Sequence, residues 1–231
     1  MFRNLWIKSL LLLAGMAFAA AASAQSSFSI NTRNLKNGDL IFQEEAPEKN
    51  DDGIDLTKAI AESTSGKDDI SYTHVGIVIF ENGVPFVIEA STSGVRETHL
   101  EDFVARSEFE EGKPLIGIAR IKDTIAISPS DAALRAKKLV GKGYDYYYKP
   151  DNGLYYCSEL VYECYLLHDG THFFEAESMS FEDKEGHISD EWNAHFNKLG
   201  VPVPQGMTGT NPGYMSKCQK LFFLYCPPVY K

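Results

Sequence analysis

Cys157 stands in "YYCSELVYECY", where an aromatic loop gives way to a helical stripe. The unpaired N–H groups and dipole of a helix's first turn favour a thiolate over a thiol, so a cysteine there is a candidate nucleophile. A small buried apolar residue is the other reading of the same position. Cys164, mid-helix on the apolar stripe, fits that second reading well. The two cannot bridge within one helix, because seven residues rise roughly 10 Å and a disulfide needs Cα atoms within about 7 Å. Cys218 and Cys226 lie in a less regular segment and can close on each other, which would leave Cys157 free.

A nucleophilic cysteine needs a base, and the base needs an acceptor to orient its imidazole. Of the six histidines, His74 heads the strand-like run "HVGIVIF". His99, His168, His172, His187 and His195 occupy polar or loop contexts. Asn82-Gly83 is a tight-turn signal between that run and "VPFVIEA", which ends near Glu89. Counting outward from the turn, facing positions sum to about 165, so His74 faces Ser91 and Glu89 lies diagonally on the same face. Glu89 can therefore accept from the His74 ring; a solvated strand-end charge is the alternative. No HExxH or CxxC spacing occurs, and Asp169-Gly170 interrupts the His168/His172 pair, so no metal site and no cofactor are expected.

These residues need elements to hold them. "LKNGDLIFQ" reads as a turn entering a short strand, and "PLIGIARI", Pro114 to Ile121, as another. Runs apolar on both faces imply burial under helices. "DLTKAIAEST" is a helix capped by Asp55, and "SPSDAALRAKKLVG" a helix capped by Ser128 or Ser130 and stopped at Gly141. Cys157 to Leu167 reads as the next helix, with Leu160, Val161, Cys164 and Leu167 on one stripe. A further helix is expected over Asp190 to Leu199.

The chain has 231 residues and a net charge of -10. Its start, with Arg3 and Lys8, an apolar run from Leu10 to Ala22 and Ala22-Ser23-Ala24, reads as a signal peptide over residues 1–24. Residues 25–231 then form a single domain that is periplasmic or secreted, with no stable membrane span after cleavage. Without Arg3 and Lys8 the balance is 20 basic against 32 acidic residues, or -12. That excess argues against a nucleic-acid partner, which needs clustered Lys and Arg.

"NGDLIFQ", "THVGIVI", "FVIEA", "GKGYDYYY" and "YYCSELVYECY" occur in this order, and together they resemble the permuted NlpC/P60 enzymes, the YiiX-like permuted papain amidases. The resemblance covers about Leu35 to Leu167. It implies an α+β, circularly permuted papain-like fold in which a small antiparallel sheet packs against the helix bearing the catalytic Cys. It implies Cys157 as nucleophile, His74 as general base and Glu89 as the group orienting it. The Cys157 N–H would help form an oxyanion hole, and Tyr144, matching a family tyrosine, would border the site and donate to the oxyanion. Asp39 matches a "GD" of structural role. Residues from about 168 resemble only a variable C-terminal extension.

The expected function is an exported cysteine hydrolase of the amidase or peptidase type. Its substrate would be a small amide-containing or peptidoglycan-derived molecule, with a cell-wall peptide amide as first choice. A thioesterase or acyltransferase on a lipid is the rival, since Tyr144 to Tyr156 and "KLFFLY", Lys220 to Tyr225, can line a greasy pocket, ordinary core or interface being the favoured reading of both. A non-catalytic binding module on the same fold is the third reading.

Overall fold

The structure is a computed structural model describing residues 30–50, 53–64 and 66–227. The expected signal peptide, residues 1–24, lies outside the described residues.

Six strands make the main sheet: β1 (Leu40–Gln43), β2 (His74–Glu81), β3 (Val84–Ser91), β4 (Gly94–His99), β5 (Ile116–Ile121) and β6 (Leu221–Tyr225). Their spatial order is β6-β5-β1-β2-β3-β4, and every neighbouring pair is antiparallel. All four residues of β1 are buried, as befits a strand flanked on both sides. Asn82 and Gly83 both take positive φ, 51° and 83°, the backbone that joins two strands through a two-residue turn. That turn sets Glu81 against Val84 and Ile77 against Ile88, the register the sequence predicts.

Helices cover both faces. Ala132, Ala133 and Ala136 of α3 (Pro129–Leu139) and Leu160, Val161 and Cys164 of α4 (Cys157–Cys164) share a core with Leu40, Val75, Ile77 and Ile88. On the opposite face, Leu100, Phe103 and Val104 of α2 (Leu100–Ala105) meet Ile41, Val78, Val87 and Ile118. Small alanines let α3 approach closely, and Ser128 caps it by accepting from the Asp131 N–H. A third core forms around Trp192 and Phe196 of α5 (Asp190–Leu199), Ala59 of α1 (Leu56–Ser63), Tyr148, Tyr156 and Phe181.

Two expectations change. The helix after Cys157 stops at Cys164, not Leu167: Tyr165 turns extended, and Leu167 N–H donates to Thr171 O across a turn at Asp169-Gly170. The positive φ of Gly170, 86°, suits that turn, and it takes Leu167 off the helical stripe. "KLFFLY" contributes the edge strand β6 beside β5 rather than a pocket wall near Cys157. This strand also separates Cys218 from Cys226. Its extended residues, at about 3.3 Å each, hold their Cα atoms beyond the roughly 7 Å that a disulfide allows, and none of the four cysteines is in a disulfide.

Candidate active site

Cys157 is the first residue of α4. Its N–H is among the first four of the helix, for which no intrahelical carbonyl exists, so it points outward as an anion donor. The thiol is buried, at 6% exposure, with Sγ 4.0 Å from the Thr73 carbonyl oxygen. His74 is the next residue and opens β2. Its Nε2 lies 2.6 Å from Glu89 Oε2, and the Cys157 side chain is close enough to favour charge on the ring. The structure thus brings Cys157, His74 and Glu89 into one line, as the hairpin register predicts for the last two.

Glu89 is fully buried in β3 yet well supplied with donors. Besides His74 it accepts from Thr98 Oγ1 at 2.6 Å, Arg106 Nη2 at 2.5 Å and Arg96 Nε at 3.1 Å. Burial would raise its carboxyl, but the His74 and Arg106 cations and the Thr98 hydroxyl overcome this and hold it well below the usual carboxylate range. His74 shows the mirror image. Burial presses it down, yet the Glu45 charge and its bonds to Cys157 and Glu89 hold it well above an ordinary imidazole. The site therefore favours a protonated His74, with Cys157 the nearby proton source at a helix N-terminus.

Tyr144 joins them. The turn between β3 and β4 brings Gly94 against the Lys142 carbonyl, so tightly that a Cβ at Gly94 would lie 2.5 Å from that oxygen. Val95 N–H donates to Lys142 O, and Gly141 N–H donates to Val95 O. These bonds pin the aromatic loop that follows. Tyr144 then lines the same pocket as Cys157, and its hydroxyl sits 3.4 Å from that of Tyr148. Burial, with the nearby negative charge of Cys157 among the additions, keeps the Tyr144 phenol protonated far above its usual range. It is a neutral donor next to the thiol, which suits an oxyanion.

The pocket is small, with a cavity volume of about 60 Å³. Tyr148, Tyr156, Met179, Phe181 and Trp192 make it predominantly apolar. The sequence reading treats residues beyond 168 as an extension, but they supply much of this wall. Thr210 also straps the first turn of α4: its N–H donates to Tyr156 Oη at 3.1 Å, and its carbonyl accepts from Ser158 Oγ at 3.1 Å. Among the described residues, no three His, Cys, Asp or Glu side chains converge so as to hold a metal.

The sequence pattern of the permuted papain-like amidase enzymes, the YaeF/YiiX or C92 family, matches residues 34–225. This chain belongs to that family. The match reaches through β6. One relative is YiiX of Escherichia coli K12, an uncharacterised protein, 29% identical over 131 residues. That alignment spans 56% of this chain and 57% of YiiX. A crystal structure titled metalloprotein YiiX, from Escherichia coli O157:H7, superposes with a TM-score of 0.64 at 23% identity, covering 83% of this chain and 97% of the other. It supports the fold.

Several residues around this site escape sequence reasoning. Arg96 and Thr98 do have a signal: they alternate along "GVRETH", and Arg96 pairs with Glu89 across the β3–β4 ladder. Arg106, Met179, Phe181, Trp192 and Thr210 have none, since only tertiary folding brings them here.

Glu159, two residues after the nucleophile candidate, accepts from Tyr156 N–H at 3.3 Å. Burial first, and then the Asp145 charge, push its carboxyl up to about 8. Between pH ~4.5 and ~8 the folded state thus binds a proton that the unfolded chain has released, so this group makes stability fall as pH rises through that window. Glu159→Gln keeps an acceptor for Tyr156 and removes the titration. Urea unfolding at pH 5 and pH 8 should show the wild type losing roughly 2–4 kcal/mol more than Glu159→Gln across the interval. Identical slopes would mean that Glu159 is ionised in the folded protein.

Proposed function

We propose that this chain is an exported cysteine amidase of the permuted NlpC/P60 type, with Cys157 as nucleophile, His74 as acid and base, and Glu89 as the residue that orients His74. The observation supporting this reading most directly is the buried Cys157–His74–Glu89 line at the N-terminus of α4, opening onto a pocket. Cys157 gives its proton to His74, its Sγ attacks the substrate carbonyl, and the oxyanion that forms is met by the Cys157 N–H and the Tyr144 hydroxyl. His74 gives its proton to the departing amine. Water then loses a proton to His74 as it adds to the thioacyl enzyme, and His74 returns that proton to the departing sulfur, restoring the thiol. A binding module would have no use for an imidazole clamped between a thiol and a buried carboxylate. Export rests on the character of residues 1–24.

The pocket's apolar wall favours an apolar acyl group, such as a lipid-derived chain, over the charged peptides of a cell wall. A matched series of N-acyl amides tests this. Burying a methylene contributes ~0.8 kcal/mol, so each one should raise kcat/KM about three- to fourfold until the pocket is full. Intact-mass measurement should find the acyl group on Cys157. Faster cleavage of a charged stem-peptide amide would overturn the apolar assignment. Turnover of thioesters alone would replace amidase by thioesterase chemistry.

A further inference from the structure

Beyond the three residues of the reaction line, the structure carries two more charges arranged in the same sequence. Glu45 lies two residues beyond β1, and Arg106 follows α2 directly. Backbone pairing sets these two positions side by side. Ala46 N–H donates to Arg106 O at 2.9 Å, Glu108 N–H donates to Glu44 O at 2.8 Å, and Glu45 bridges Ser107. The buried Gln43 amide fixes α2 to β1 by donating to Phe103 O at 2.8 Å and Ser107 Oγ at 3.0 Å. Arg106 is therefore delivered by a rigid corner, not by a loose surface chain.

From that corner the guanidinium reaches inward. Its Nη2 donates to Glu89 Oε2 at 2.5 Å, the same oxygen that His74 Nε2 engages at 2.6 Å. Its Nε lies 3.4 Å from Glu45 Oε1. Its plane sits 5.2 Å from the centre of the Phe103 ring, and Phe103 in turn stacks on the His74 imidazole with centroids 5.5 Å apart. Glu45 is tied to the site by its backbone as well, donating to Thr73 Oγ1 at 2.9 Å, one residue before His74. Charge thus alternates from the surface to the thiol: Glu45, Arg106, Glu89, His74, Cys157.

We propose that Arg106 and Glu45 are positioning residues of this site: Arg106 locks the Glu89 carboxylate against His74 Nε2, and Glu45 steadies Arg106 while adding a second negative charge beside the imidazole. This inference rests on the reading of Cys157, His74 and Glu89 as the reacting set. Two cations share one oxygen of Glu89, so Arg106 competes with protonated His74 for it. Glu45 acts in the opposite sense, by drawing on Arg106 and by its own field at His74. The charged and titratable groups facing His74 are Glu45 after β1, Glu89 on β3, Arg96 on β4, Arg106 after α2, Tyr144 in the aromatic loop and Cys157 on α4.

The test reads the His74 titration directly by NMR of the labelled imidazole, so it needs no substrate. Glu45→Gln should lower the His74 midpoint by ~0.5–1 pH unit, and Arg106→Gln should raise it by a similar amount. Arg106→Lys keeps the charge but not the fork, so the midpoint should stay near wild type while kcat falls at unchanged KM. Opposite shifts in the two Gln variants are not expected of merely structural residues. Glu45 is part-exposed, at 25%, so Glu45→Gln should fold even if Arg106→Gln does not. An unchanged His74 midpoint in Glu45→Gln overturns the proposal. Absence of amidase activity in the wild type would sink the reaction assignment while leaving this measurement decisive for the charge chain.

Discussion

Cys157→Ala should lower kcat/KM toward the best apolar amide by about 10⁴-fold or more while leaving the fold intact. The loss is large because the proposed acyl intermediate forms on Cys157, the nucleophile set beside His74. The stability change is small by comparison, about 1 kcal/mol for one buried sulfur atom. The same helix supplies an internal control. Cys164 is as buried as Cys157, at 1% against 6% exposure, and burial pushes its thiol up to about 12. Iodoacetamide at neutral pH should therefore alkylate Cys157 far faster than Cys164, with peptide mass spectrometry counting each. The pocket mouth and the helix N-terminus belong to Cys157 alone, and His74 can accept its proton. A His74→Ala variant should slow both the alkylation and the reaction. Adding Cys157→Ala to it should cost almost nothing further in rate, because the two act as a unit. Equal alkylation of Cys157 and Cys164 in folded protein would end the nucleophile assignment.

The inner part of this site is legible in the sequence because local chemistry specifies it. Asn82-Gly83 permits one turn geometry, the turn permits one register, and the register puts His74 and Glu89 on one side of two neighbouring strands. The position of Cys157 follows from the end of an aromatic loop and the start of a helical stripe. What lies further out is not legible, because no local rule places it. Arg106 reaches Glu89 only after the Gln43 side chain has docked α2 on β1. The pocket wall draws Tyr148, Met179, Phe181 and Trp192 from distant parts of the chain. "KLFFLY" leaves two readings open for a related reason. A short apolar run is equally consistent with a pocket wall and a sheet strand, and here the free edge of β5 takes it. The end of α4 shows a local signal outweighing another: the stripe pattern extends to Leu167, but the Asp169-Gly170 turn closes a pairing of Leu166 with His172 and ends the helix earlier.

Glu89→Gln should be the most damaging conservative change in the protein, affecting stability and rate together. The wild-type carboxylate has no exposed surface and accepts from His74, Thr98, Arg96 and Arg106. A glutamine offers one oxygen and turns an N–H₂ toward groups that are themselves donors. Two arginines and a protonated histidine would then share a buried space without an anion. Breaking such a pair by removing one partner costs ~3–5 kcal/mol, a large part of the 5–15 kcal/mol that holds a typical domain folded. The rate should fall ~10²- to 10³-fold even in the folded fraction, because His74 loses both its orientation and the charge that keeps it protonated. The pH dependence separates this account from general damage. Glu89 is held below its unfolded value, so its stabilisation is present above pH ~4.5 and is lost as pH falls through the folded value. His74 is held above its unfolded value, so its stabilisation is present below pH ~6.5 and is lost as pH rises through the folded value. The pair is at full strength where the windows overlap, between pH ~4.5 and ~6.5. Urea unfolding of wild type and Glu89→Gln at pH 3.5, 5.5 and 8.5 should therefore differ most at about pH 5.5. A difference that stays constant from pH 3.5 to 8.5 would show that Glu89 and His74 do not form an ion pair in the folded protein.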